Sequence, residues 1–420
     1  MNEILEELTW RGLIAQSTDR QALAAAMDTG PITYYCGFDP TGPSLHHGHL
    51  VQLILLRHLQ QAGHRAIALV GGATGMIGDP RESSERTLND KQTVASWTER
   101  LGEQVSRFLD FGGDNPALLV NNLDWTESLS AIDFLRDIGK HYRLGTMLAK
   151  DTVARRLNSE EGISFTEFSY QLLQGMDYLE LYRRYGCTLQ TGGNDQWGNL
   201  LSGVDLVRKV EGQHVHVLTT PLITKADGTK FGKTEGGAVW LAPDLMSPYA
   251  FFQFWLGTAD ADVINYLKVF TFLSREQIAD LAESVRTQPA ARHAQRTLAR
   301  EVTTLVHGAR ATERVEAASA ALFGRGELAD LDGQTLAEAV AEVPRGQIRA
   351  GESTIVDALI ATGLAGGRNA ARRTVADGGA YLNNTKIIDA DRVINATDLL
   401  TGKVALVRRG RRNLAVVEAD

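Results

Sequence analysis

Residues Ile32–Phe38 (Ile-Thr-Tyr-Tyr-Cys-Gly-Phe) read as a buried strand, and turn chemistry follows at once in Asp39-Pro40-Thr41-Gly42-Pro43. Leu45–Gln61 then repeats apolar residues at helical spacing, with Leu50, Leu53, Ile54 and Leu56 among them, and Gly63 stands where a helix commonly ends. Ala66–Val70 is the next strand. Strand, loop, helix, strand is a βαβ unit, which predicts a parallel sheet with ligand contacts at the C-terminal strand ends.

A Gly-rich turn, Gly71-Gly72-Ala73-Thr74-Gly75-Met76-Ile77-Gly78-Asp79, follows that strand, and long helical patterns run over Asp90–Asp110, Ser128–Leu157 and Ser164–Tyr185. Leu189–Gly192 reads as a short strand leading into Gly193-Asn194-Asp195-Gln196-Trp197-Gly198-Asn199, and Val215–Leu218 as another opening toward a lysine-containing loop. Beyond Ser247 the pattern is helical to about Phe323, where Gly324-Arg325-Gly326 breaks it. Residues 326–351 mix Gly, Pro and charge and predict a linker with one short helix at Thr335–Val343. From 352 a helix pair (Ile355–Gly363, Gly367–Asp377) precedes strand-like pieces at Ala380–Leu382, Lys386–Ile388 and Lys403–Val407.

Length and composition fit this layout. At 420 residues the chain has room for two or three domains, and 43% hydrophobic with 22% charged residues is ordinary globular usage. A net charge of −8 excludes a surface that binds nucleic acid everywhere, so any RNA contact is local. Residues 352–420 carry ten Lys/Arg against eight Asp/Glu, so this +2 tail leaves −10 on the rest. Its arginines cluster as Arg368, Arg372 and Arg373 and as Arg408, Arg409, Arg411 and Arg412, and a further basic group, Arg292, Arg296 and Arg300, lies in the helical region. Cys36 and Cys187 form no CxxC pair and no metal-ligand spacing, which argues against a disulfide scaffold or zinc site. The acidic, amphipathic N-terminus lacks the features of a signal peptide, and the longest apolar stretch, Ala66 to Gly78, is below the ~18 residues of a spanning helix. A cytoplasmic location without membrane contact is expected.

The chemistry concentrates at two places. His46 and His49 are three apart on one helix face, with Gly48 between them leaving room for a flat base. A helix start offers free backbone N–H groups and a positive dipole end, which suits phosphate, and the imidazoles would donate to phosphate oxygens and neutralise developing charge. Lys230 and Lys233 flank Gly232 in a glycine-containing loop, as a pair of ammonium groups able to close on a departing pyrophosphate or as a solvated hairpin tip. Together the two segments suggest a grip on the triphosphate of ATP from two sides. Tyr170, Gln174 and Asp177 fall at i, i+4 and i+7 on one helix face, and periodicity alone favours an exposed stripe slightly over a polar pocket lining.

In combination these segments resemble the bacterial tyrosyl-tRNA synthetases, class I enzymes with a Rossmann catalytic domain, over nearly the whole chain. His46-His47-Gly48-His49 looks like the HIGH signature, and Lys230-Phe231-Gly232-Lys233-Thr234 like its partner KMSKS in the KFGKT form. Tyr35-Cys36-Gly37-Phe38-Asp39-Pro40-Thr41, Gly78-Asp79-Pro80, Tyr170-x-x-x-Gln174-x-x-Asp177 and the Gly193–Asn199 segment are the more discriminating pieces. The resemblance implies an α/β fold. A Rossmann-type parallel-sheet catalytic domain spans 1–240 with a connective insertion and the lysine loop. An α-helical, anticodon-side domain spans 241–325, a linker 326–351, and a small α+β domain 352–420 that is similar to a ribosomal-protein-like RNA-binding module.

Carried over residue by residue, the resemblance implies that Tyr35 and Asp177 bond the hydroxyl of substrate tyrosine. Asp79, Tyr170 and Gln174 would hold its ammonium, with Gln196 near its carboxylate. Cys36, Gly37, Asp39, Gly48, His49 and Asp195 would contact ATP, with Cys36 near the ribose. Thr41 and His46 would meet the rearranging triphosphate, while Lys230, Lys233 and Arg86 attend the pyrophosphate. L-tyrosine, ATP and tRNA(Tyr) are the implied partners and a homodimer the implied assembly. Mg²⁺ would be carried with ATP rather than held in a protein metal site. The chain departs from the family at Arg81-Glu82-Ser83-Ser84, where a lysine usually precedes Arg86, at Gln52, in place of a small ribose-contacting residue, and at His47, which is expected to point away from ATP. A tryptophanyl-tRNA synthetase shares the fold but is disfavoured by polar Asp177 and by the tail. An HxGH nucleotidyltransferase would explain only the histidines, and a non-enzymatic RNA-binding role only the tail.

Overall fold

The structure, a computed structural model, describes residues 2–80, 86–229, 231–234, 237–322, 328, 331–341, 343–410 and 413–419, with the side chains of Asp151, Lys233 and Thr234 outside that description. The chain forms two compact units, residues 1–246 with 258–298 and residues 247–257 with 299–420.

The first unit is built on six strands, β1 (Gln16–Ser17), β2 (Thr33–Phe38), β3 (Arg65–Val70), β4 (Leu118–Asn121), β5 (Cys187–Gly193) and β6 (His216–Thr220), in the order β1-β6-β5-β2-β3-β4. All neighbours are parallel except β1, which runs against β6. β2 is central because Tyr34, Tyr35, Cys36 and Phe38 are buried, as a strand covered on both faces requires. From β2 the chain steps outward to β3 and β4 and then returns to lay β5 on the other side, with Tyr35 opposite Gln190 and Cys36 opposite Thr191. This reversal puts a topological switch point between β2 and β5, where α/β sheets open a crevice at the strand ends.

The βαβ reading holds, with the helix at His47–Gln61 and every residue from Leu50 to Leu56 buried. Phe165–Tyr185 is a single helix, capped by Ser164 and ended by left-handed Gly186 (φ 63°). It lies close to the Trp197–Glu211 helix at Gly175, where a Cβ would sit 3.6 Å from Gly203 Cα.

The expected continuous helix over Ser128–Leu157 is instead a broken series: Ala131–Asp133, a π turn at Phe134–Ile138, a 3₁₀ turn at Gly139–His141, then Leu144–Leu148 and Asp151–Leu157. Its apolar residues do not share one buried face: Ile138, Met147 and Val153 are buried, while Ile132, Leu135 and Leu144 are 52–70% exposed. β4, only four residues long, escaped the pattern reading.

A short antiparallel pair, β7 (Lys233–Thr234) and β8 (Gly237–Ala238), completes the strands of the first unit. In the second unit, β9 (Arg345–Ile348), β10 (Ala380–Leu382), β11 (Thr385–Ile387), β12 (Val404–Arg409) and β13 (Asn413–Ala419) form a sheet in the order β11-β10-β12-β13-β9. Two-residue periodicity splits the β12–β13 pair cleanly. Ala405, Val407, Ala415 and Val417 face the Ile355–Ala361 and Arg368–Ala376 helices, while Leu406 and Val416 pack with Ala318, Leu322 and Leu336. The segment expected as a linker, 326–351, therefore contributes the Gly333–Ala339 helix to this second core and β9 to the sheet, paired parallel to β13. Likewise helices between 258 and 298, assigned from sequence to a separate helical domain, belong to the first unit.

Candidate active site

His46 is the N-cap of the His47–Gln61 helix, in extended backbone conformation. Its Nδ1 accepts from the Gly48 amide at 3.0 Å, and its own amide donates to His49 Nδ1 at 3.1 Å. The two rings lie 4.0 Å apart, centroid to centroid. Only glycine fits at 48, since a Cβ there would stand 2.9 Å from the His46 ring.

This geometry corrects the expectation of free helix-start amides. The His47 N–H donates to Val239 O (2.9 Å), and those of Gly48 and His49 are taken by His46. The donors left at this helix start are therefore imidazole Nε2–H groups, the tautomer that remains when Nδ1 accepts. Burial pushes His46 below, and His49 well below, the ordinary histidine range, which favours the neutral form of both rings.

At the crevice, Asp39 follows β2 directly and is gripped on both oxygens, by Thr74 Oγ1 at 2.6 Å and the Tyr170 hydroxyl at 2.7 Å. Asp79 is held the same way, accepting from Gln196 Nε2 and Asn199 Nδ2, both at 2.9 Å. Burial raises the pKa of both carboxyls. Lys150 Nζ donates to Asn199 Oδ1 at 3.0 Å, and burial brings its ammonium down to about 8 against the pull of Asp79. Gly37 is exposed within β2 and leaves the backbone accessible there. Asp195 is exposed at the end of β5. The Cys36 thiol is buried, pushed up to about 12, and donates to Gln52 Oε1 at 3.8 Å, while Gln52 Nε2 donates to Thr220.

The Tyr170/Gln174/Asp177 face is buried, not an exposed stripe: Asp177 is 3% and Tyr170 6% exposed. Asp177 Oδ1 accepts from the Trp125 indole at 2.9 Å and Oδ2 from Asn122 Nδ2 at 3.0 Å. Burial dominates and lifts its pKa to about 7. Tyr35 packs edge-on to Tyr178 at 5.2 Å in the cluster that holds Trp125. Burial raises the Tyr35 phenol far above its usual range, and the Asp177 charge raises it further. Among the described residues, Tyr35 OH and Gln174 Oε1 are buried without a hydrogen-bond partner.

Thr41 and Arg86 line one cleft with Gly75, Gly78 and Asn89. Arg86 Nε donates to Asp79 O at 2.6 Å. Lys230, Arg81, Arg411 and Arg412 lie outside the described residues, as does the Lys233 side chain. The lysine loop is anchored through Phe231, which stacks near Tyr266 (4.5 Å) and meets the His47 ring edge-on at 5.3 Å. His47 thus packs against the loop.

Asn122, Trp125, Thr74 and Lys150 were not read from the sequence. Asn122 and Trp125 had a signal in the apolar run Leu118–Val120 followed by Asn121-Asn122, polar residues at the end of a strand of an α/β sheet.

The family model "tRNA synthetases class I (W and Y)" matches residues 27–324, and "Tyrosine--tRNA ligase SYY-like C-terminal domain" matches 335–417. The tyrosine–tRNA ligase of Streptomyces coelicolor is 60% identical over 419 residues, covering 100% of this chain and 99% of that one. This chain belongs to the class I tyrosine–tRNA ligase family. The ligase of Acidothermus cellulolyticus is likewise 60% identical, over 432 residues, with 100% and 99% coverage. Among solved structures, a C-terminally truncated Coccidioides posadasii mitochondrial tyrosyl-tRNA synthetase superposes with a TM-score of 0.66 at 33% identity, covering 74% of this chain and 90% of that one. A tryptophanyl-tRNA synthetase from Encephalitozoon cuniculi (TM-score 0.55, 13% identity, 74% and 87% coverage) shares the fold alone. Within this ligase family, the HIGH-type segment here is the His46 cap, and the Gly-Asn-Asp-Gln-Trp segment supplies Gln196 to Asp79.

Proposed function

We propose that this chain activates L-tyrosine with ATP and transfers it to tRNA(Tyr). The observation that supports this most is Asp177, a buried carboxylate oriented by Trp125 and Asn122 and electrostatically coupled to Tyr35. A phenol hydroxyl has a partner there, whereas a phenyl ring would leave buried polar groups unpaired.

A tyrosine carboxylate oxygen attacks the α-phosphorus of ATP in line, the bond to the bridging oxygen breaks, and pyrophosphate leaves. A ribose hydroxyl at the tRNA 3′ end then attacks the tyrosyl carbonyl and AMP departs. No side-chain nucleophile takes part, so the protein acts by positioning and by donors placed where charge accumulates. Asp79, Tyr170 and Gln174 receive the ammonium end, with Gln196 toward the carboxylate. Cys36, Gly37, Asp39, Gly48, His49 and Asp195 receive the nucleoside. Thr41, His46, Arg86, Lys230 and Lys233 serve the triphosphate. Mg²⁺ arrives as part of the nucleotide substrate.

The working form is a cytoplasmic homodimer, and Ile132, Leu135, Leu144 and Phe165, each at least half exposed, supply the apolar surface for it. No helix among the described residues is long and apolar enough to cross a membrane. Amino-acid-dependent ATP–pyrophosphate exchange tests the reading: tyrosine supports exchange and tryptophan does not. Exchange with tryptophan, or with neither, overturns it.

A further inference from the structure

Glu167 sits in the first turn of the Phe165–Tyr185 helix, three residues after its cap Ser164, the position from which a glutamate usually reaches back to the cap amide. Here it does not. Its amide donates to Ser164 Oγ at 3.3 Å, but its carboxylate turns inward and is 1% exposed. Oε2 pairs with Arg156 Nη2 at 2.9 Å, and Oε1 accepts the backbone N–H of Arg86 at 3.1 Å. Arg156, itself 1% exposed, is fixed in turn through Nε to Gly162 O at 3.1 Å. Arg86 is therefore held at two points, its amide on Glu167 and its Nε on Asp79 O. Gly78, at φ 80°, lets it lie flat, since a Cβ there would be 2.5 Å from Arg86 Cδ.

A buried arginine–glutamate pair gives little net stability over apolar residues of the same volume, so stability alone does not account for it. What it does supply is a fixed anion at the one place where the Arg86 main chain needs an acceptor. We propose that Glu167, anchored by Arg156, is a positioning residue that sets the Arg86 backbone beside the cleft lined by Thr41. Its consequence for rate rests on the assignment of Arg86 to pyrophosphate departure made above.

Two full-length double variants test this, both leaving no buried charge unpaired. Arg156→Met/Glu167→Met removes the acceptor, whereas Arg156→Met/Glu167→Gln keeps an oxygen able to accept from Arg86. The first is expected to slow tyrosyl-adenylate formation about tenfold or more, with tyrosine affinity changed less than about twofold. In an Arg86→Ala background the same change should cost less than about twofold, because the two act as a unit. Hydrogen exchange at the Arg86 amide should accelerate about tenfold or more in the Met/Met variant, and both rate and protection should recover in the Met/Gln variant. Equal slowing with and without Arg86, a parallel loss of tyrosine affinity, or unchanged Arg86 protection overturns the proposal, as does failure of the Gln variant to recover. If Arg86→Ala alone leaves the rate intact, the assignment of Arg86 falls, and exchange at its amide still decides whether Glu167 holds it.

Discussion

The Trp125 indole donates to Asp177 Oδ1 at 2.9 Å, a bond that favours the ionised form of this buried carboxyl. Burial lifts Asp177 to about 7, with Asn122 and Trp125 pulling the other way. The ionised carboxylate is the stronger acceptor for a substrate hydroxyl, so tyrosine affinity should rise as pH climbs through about 7. Trp125→Phe deletes a donor that favours the charged form. Its midpoint should move higher, and tyrosine binding should weaken by roughly 1–3 kcal/mol. Tyrosine titrations between about pH 5.5 and 9 read both effects, and an unmoved midpoint in Trp125→Phe would remove the indole from this role. Stability carries the opposite sign. The folded state holds this proton more tightly than the unfolded chain, so the Asp177 contribution declines as pH rises from near 3.8 to about 7, and Asp177→Asn should flatten that decline.

Selectivity follows from the same carboxylate. In Asp177→Ala no acceptor remains to be stranded by phenylalanine, so tyrosine should lose about tenfold or more in kcat/KM while phenylalanine changes little. Exchange assays with both amino acids measure the ratio. Unchanged discrimination would take Asp177 out of the side-chain pocket.

The neutral state of His46 and His49 makes a different demand on pH. A cationic imidazole would lose catalytic value as pH rises through its ordinary value of about 6.5. Because burial lowers both rings from that value and favours their neutral form, adenylate formation should show no such fall between about pH 6 and 8. His46→Ala removes both an Nε2–H donor and the Nδ1 acceptor of the Gly48 amide, and should slow adenylation by about 10- to 100-fold with tyrosine affinity nearly intact. A rate that declines with a midpoint near 6.5 in the wild type would show that the imidazolium is the working form.

How far the sequence reaches can be judged at individual residues. The β2–helix–β3 unit was readable because turn chemistry and periodicity agree there, and Gly63 does take the left-handed conformation (φ 94°). Ser128–Leu157 misled because helical spacing reports an apolar face without saying what buries it, and Ile132 is 70% exposed. β9 was hidden in a segment of linker composition because pairing with β13 is a contact across about seventy residues, which no local pattern encodes. At the site, residue types were legible but their partners were not. Tyr170 was legible as a polar residue of its helix face, but the bond of its hydroxyl to Asp39 was not. Asp177 was evident, whereas Asn122 and Trp125, more than fifty residues upstream, required the fold.

Gly232 links the two nucleotide motifs. At φ 80° it occupies backbone space that favours glycine, and a Cβ there would stand 2.0 Å from His47 Cε1. Gly232→Ala must both strain the backbone and push the loop off His47, so adenylation should fall by about tenfold or more while tyrosine binding stays within about twofold. Adding His47→Ala should recover part of the loss, because it removes the clash and leaves the strain. Pre-steady-state adenylate formation in the single and double variants separates the two effects. No recovery in the double variant would mean that the His47 contact is irrelevant to the loop.

The exposed arginines of the second unit are the charges available for RNA contact. Arg373 lies exposed on the Arg368–Ala376 helix, whose opposite face buries Ala371 and Val375 in the second unit's core, so its side chain can change without disturbing that core. If it meets a phosphate, Arg373→Ala should weaken tRNA binding and lower the slope of log affinity against log salt by about one. Tyrosine-dependent pyrophosphate exchange, which needs no tRNA, should not change. The measurement is the KM for tRNA in charging at several salt concentrations alongside exchange at one. A raised KM with an unaltered salt slope would mean that Arg373 shapes the surface without touching the backbone of the RNA, and the contact would then have to be sought at Arg408 and Arg409 on β12.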